Sequence, residues 1–243
     1  MPQSPTPPAA PRSGRRSPPP PVILRSPGET LEGSELLDEI GGGPGVLLWR
    51  ALRAVTLWAG RRPRGRGPLF APGARERWLR DVAAVPAPEP LCGPLRALAS
   101  LLAAPGGPAG ERTARACAEI SGWAAEAGAP LTALAFAQAA ALAAPERAPA
   151  ALAMGLRAAE AGQEIRAEGW LRRAVVLARA ARDRATQAHA SLHLAGILAR
   201  RGERERAARA YRRAERLAAR CGLPGVRAEA LRAMRDGEDG GGD

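Results

Sequence analysis

The sequence predicts an all-α chain in which antiparallel helical hairpins stack behind a proline-rich tail, and three observations predict it. From about residue 112 the chain is a run of helix formers, interrupted only by the short turns "GAP", "PERAP" and "GQ" and by the break "GLPG". Three glycines, Gly128, Gly162 and Gly202, are spaced by 34 and then 40 residues and sit in congruent surroundings. The 243 residues are 46% hydrophobic but only 3% aromatic. An apolar fraction dominated by alanine fills no wide core, but it suits helices that approach closely.

The elements follow in chain order. Residues 1–30 recur in proline without apolar periodicity and read as a disordered tail. Within it "RRSPPPP" sets Arg15, Pro18 and Pro21 at the spacing of a ligand for aromatic-lined grooves, a spacing such tails also produce by chance. An acidic stretch, "ETLEGSELLDEI", leads to "GGGPG" at 41–45. This segment lacks the lysine and hydroxyl residue of a phosphate-binding loop and reads as a flexible joint. "VLLWRALRAVTLWAG" then spaces Leu48, Trp49, Leu52, Val55, Leu57 and Trp58 as an amphipathic helix, expected to dock by its tryptophan face. "RRPRGRG" at 61–67 is a loop carrying Arg61, Arg62, Arg64 and Arg66. Helical stretches over about 73–85 and 91–103 complete a helical amino-terminal cap region spanning 31–110. Residues 111–223 are three hairpins, 224–235 a shorter capping helix, and 236–243 a second disordered tail.

The hairpins share a register. Counted from Gly202, Leu194, Ala195 and Leu198 precede it by eight, seven and four residues, and Ala207, Tyr211 and Ala214 follow by five, nine and twelve. Gly162 repeats this with Met154, Gly155, Ala158, Ala167, Leu171 and Ala174; Gly128 repeats it with Ile120, Ser121, Ala124, Ala133, Ala137 and Ala140, and Pro145 ends that unit. Over roughly residues 112–220 the chain therefore resembles the tetratricopeptide repeat family. The resemblance implies a right-handed array of helical hairpins, an α-solenoid. In it Gly155 and Ala195 let helices cross, Ala167, Ala207 and Ala214 pack from the other side, and Tyr211 is wedged between a hairpin and its neighbour. Ala137 and Leu171 stand where the family usually keeps an aromatic residue. The 40-residue spacing requires longer helices on either side of "ARDRAT". A generic helical bundle is the alternative fold.

The resemblance also implies a groove along the first helices. In this sequence it is lined by Arg115, Glu119, Gly122 and Glu126, then Leu152, Leu156 and Glu160, then His189, Leu192, Gly196 and Arg200. It implies a non-catalytic module that holds a peptide segment or partner helix.

Charge and site chemistry agree with a binding role. The net charge is +12, and all 36 basic residues are arginine, most simply a codon-bias signature. Residues 46–80 carry nine arginines against one glutamate. Arg209, Arg212, Arg213, Arg216 and Arg220 form a basic strip that favours an acidic partner; nucleic acid is a weaker reading, because stacking aromatics and a known docking motif are missing. His189 and His193 are four residues apart, a chelating spacing, yet no third ligand lies nearby in sequence, so no metal or cofactor is expected. Glu160, Glu164 and Glu168, beside Arg157 and Arg172, read as an exposed, salt-bridged ladder. Cys92, Cys117 and Cys221 read as buried free thiols of a cytoplasmic protein. No secretory signal or membrane-spanning run is visible. No catalytic constellation emerges. Besides the interaction module, two readings stand open: the sensory or dimerising part of a bacterial transcription regulator, or a basic nucleic-acid-associated protein.

Overall fold

The computed structural model describes residues 39–60, 74–84, 87–104 and 109–239. The tail at 1–30, the basic loop at 61–67 and residues 240–243 lie outside them. Among the described residues ten helices follow one another and no strand occurs. In order they are α1 (Gly42–Gly60), α2 (Ala74–Ala84), α3 (Glu89–Leu102), α4 (Gly110–Glu126), α5 (Pro130–Ala143), α6 (Ala148–Glu160), α7 (Glu164–Ala180), α8 (Arg184–Arg200), α9 (Arg204–Cys221) and α10 (Pro224–Asp239).

The hairpins form where helix formers meet a residue able to reverse the chain. At the turns after α4, α6 and α8, the middle residues Gly128, Gly162 and Gly202 adopt φ values of +75°, +71° and +74°. Each turn repeats one hydrogen-bond pattern: Gly128 N donates to Ala125 O and Ala129 N to Ala124 O, with the same offsets at Gly162 and Gly202. This closes the orphan carbonyls of the helix end. The turn after α7 has identical bonds, from Arg182 N to Arg179 O and from Asp183 N to Ala178 O. There the left-handed residue is Arg182, at φ +56°, where a side chain costs about 1–2 kcal/mol. The 40-residue spacing is taken up by helix: α7 and α8 have 17 residues each, against 14 in α5 and 13 in α6.

Each helix from α3 onward packs on the next, and alternate helices also touch: α4 on α6, α6 on α8 and α8 on α10. The crossings follow the register. Ser121, Gly155 and Ala195, all seven residues before their turn glycine, are buried. Ser121 Oγ donates to Ala133 O across its crossing at 2.7 Å. A Cβ on Gly155 would stand 2.7 Å from Leu171 Cγ, so only glycine admits α7 there. Ala167, Ala207 and Ala214 are buried as expected. Tyr211 is only half-buried, packed against the cluster that holds Ala188, Leu192, Ala214 and Ala218.

Several expectations are corrected. The "GGGPG" segment is no joint: α1 begins at Gly42, and Pro44 lies in its first turn, where a missing N–H costs nothing. The helix docks by Leu47, Leu48, Ala51, Leu52 and Val55, with Trp49 and Trp58 half-buried and Leu57 exposed. The amino-terminal region does more than cover an end. While α3 packs on α4, α1 lies across α5, and these helices share one core with the first hairpin around Phe136. Buried from Thr132 to Ala141, α5 is therefore apolar on all sides. Glu39 fixes the entry to α1: its carboxylate accepts from Leu131 N, Thr132 N and Thr132 Oγ1 at 2.7–2.8 Å, capping α5 from 92 or more residues away. The last helix, α10, is not short: its 16 residues continue past 235 and make 236–239 helical, where a tail was expected. Of the thiols, only Cys117 is buried, and burial pushes its pKa far up; Cys92 and Cys221 are half-exposed.

Candidate binding groove on the first helices

Because α4, α6, α8 and α10 touch in sequence, one side of each belongs to a common surface. On α4, Arg115, Glu119 and Glu126 are exposed, with Gly122 half-buried. On α6, Leu152 and Leu156 are half-buried and Glu160 is exposed. On α8, His189 and Gly196 are half-buried and Arg200 is exposed. Leu192 does not line this surface. It is 4% exposed and joins Ala188, Val226 and Ala230 in the core between α8, α9 and α10, because α10 closes over it.

Around the α8 segment the structure brings Glu229, which the sequence did not single out, to residues that it did. Half-buried His193 is held below its ordinary pKa by burial and by His189, against Glu229 on α10 and Glu160 on α6, which act in the opposite sense. Burial and the Glu229 charge raise the Tyr211 phenol, against Arg200. A Cβ on Gly196 would lie 3.8 Å from Tyr211 Oη and 3.9 Å from Arg200 Nη1, so glycine here leaves open the space beside both groups. The rim is ion-paired, with Arg157 on Glu160 at 2.5 Å and Arg200 on Glu164 at 2.8 Å. A signal for Glu229 existed: Gly237 lies 35 residues after Gly202, close to the 34-residue spacing of the first two turn glycines, which makes α10 the counterpart of a first helix.

The acidic ladder is only partly exposed. Glu168 is buried, and its carboxylate is shared by Arg172, by Arg201 after α8 and by Arg206 on α9, the last at 3.8 Å. It ties α7 to the third hairpin. The basic strip, Arg209, Arg212, Arg213, Arg216 and Arg220, is exposed on the side of α9 opposite buried Ala207, Ala214 and Ala218. It therefore faces away from the groove.

Chemically this candidate surface offers half-buried leucines at 152 and 156, imidazoles and paired charges. Among the described residues no group of three His, Cys, Asp or Glu side chains is placed to hold a metal ion. Nor, among them, is any helix long and apolar enough to cross a membrane. No protein-family description matches the chain, and no curated protein matches it in sequence.

Proposed function

We propose that this chain is a non-catalytic interaction module, a tetratricopeptide-like right-handed array whose first-helix face holds a peptide segment or partner helix. The observation that carries the reading is the succession of contacts from α4 to α6 to α8 to α10. It makes one surface of four helices, with half-buried leucines and histidines along it and charges at its rim. A peptide would bury its apolar side chains on Leu152 and Leu156 and meet the Tyr211 hydroxyl beyond them. A cytoplasmic setting belongs to the same reading, and the three free thiols suit such a reducing compartment.

The test begins with capture of partners on the full chain and continues with surface kinetics. Leu152→Glu with Leu156→Glu is expected to speed dissociation at least tenfold while changing association little, since both side chains supply buried contact. Unchanged kinetics with a folded double variant would move binding off the first-helix face.

A further inference from the structure

The outer side of the third hairpin carries a second surface. Glu168 and Arg206 join α7 to α9 across α8, and the two helices run parallel because each is reversed once from α8. Arg213 and Arg220 lie seven and fourteen residues after Arg206, on nearly the same side of α9. Arg179 lies eleven residues after Glu168, three turns along the same side of α7. Beyond the Glu168 cluster these arginines continue the seam for about 20 Å to the turn after α7, where Arg182 and Arg184 stand.

Three features set this seam apart. At its start Glu168 and Glu203 are ion-paired with Arg172, Arg201 and Arg206. Farther along, Arg179, Arg182, Arg184, Arg213 and Arg220 are all exposed and, among the described residues, none is ion-paired. The acid of that turn, Asp183, is occupied by Thr186 N and Oγ1. Every exposed residue in 179–185 and 212–220 is an arginine or an alanine. Arg182, finally, holds a left-handed conformation that glycine holds at the three equivalent turns. A side chain kept at a strained position points to use of that side chain.

We propose that this seam docks the phosphate backbone of a nucleic acid, independently of the first-helix groove. A protein partner needs an apolar or aromatic anchor at the centre of its contact; beyond the Glu168 cluster the exposed side chains of the seam are arginine and alanine apart from the small Val176 on α7. Phosphates need only guanidinium forks, which bind them through paired N–H donors. The net charge of +12 adds long-range attraction.

The test is fluorescence anisotropy of labelled oligonucleotides, single-stranded and duplex, RNA and DNA, titrated with the full chain over a range of salt. Binding is expected with a log–log salt slope set by the phosphates neutralised, and the four probes tell strand from duplex. Arg179→Gln with Arg213→Gln and Arg220→Gln is expected to weaken it at least tenfold and to reduce the slope by about 2–3. The control Arg77→Gln with Arg96→Gln and Arg232→Gln removes equal charge from exposed sites elsewhere and is expected to change affinity less than threefold. Arg182→Gly separates function from fold: affinity falls, whereas the melting temperature holds or rises by about 2–4 °C. The proposal is overturned by absent binding, by an equal loss in the control, or by a polyglutamate peptide that binds the seam where the oligonucleotides do not.

Discussion

Gly155 and Tyr211 show how far single positions in a repeat register decide packing. A methyl at 155 would meet Leu171 Cγ at 2.7 Å and Leu171 N at 3.2 Å, and a backbone atom cannot rotate away. Gly155→Ala is therefore expected to destabilise by about 1–2 kcal/mol, the overpacking cost less the gain in helix propensity, as urea unfolding measures. The half-buried ring of Tyr211 gives Tyr211→Ala a cost of about 2 kcal/mol, below that of a fully buried aromatic residue. His193 predicts a pH dependence. Its folded pKa is below the usual 6.5, so the unfolded chain binds the proton more readily. Stability from this residue is present above about pH 6.5 and is lost as pH falls from there through the folded value. Melting curves between pH 7.5 and 5.5 should show a fall that is smaller in His193→Gln.

At the scale of the element, α5 depends most on distant parts of the chain. Its apolar residues run around the whole helix because α1, α4 and α6 cover it. Its amino terminus has no capping side chain of its own; Glu39 supplies the acceptor instead. Glu39→Ala should cost about 1–2 kcal/mol, with faster amide exchange at Leu131 and Thr132 as the local sign. The α7 helix is tied differently, through buried Glu168 and the arginines of the third hairpin. That tie joins neighbouring hairpins where alanine contacts alone would bury little area.

Across the whole molecule the cores are not equal. The amino-terminal helices and the first hairpin share the largest cluster, with Leu52, Leu91, Leu95, Leu98 and Phe136 almost fully buried. The later hairpins rest on smaller clusters built largely of alanine. Truncation through residue 60 strips Leu47, Leu48, Leu52 and Val55 from α5, each worth about 1.5–3 kcal/mol when fully buried. Hydrogen exchange is expected to show loss of protection in α4 and α5 and its retention in α7 to α9. Truncation through residue 30, where the proline density marks a tail, should leave helical ellipticity per molecule unchanged.

Local chemistry was legible in the sequence. Helix formers, turn glycines and the small residues at fixed offsets marked six helices, the crossings at Ser121, Gly155 and Ala195, and the extra turns around "ARDRAT". All of these depend on neighbours within one period. The sequence did not show that α1 would lie on α5, that Glu39 would cap a helix beyond residue 130, or that Leu192 would be closed over by α10. It also did not show that Arg182 would take a glycine's place at a turn, since arginine is common along this chain and its φ is not written in its side chain. Those outcomes belong to the tertiary structure. They depend on which helix occupies the space beside another, and the hydrophobic pattern fixes only that a face must be covered, not what covers it.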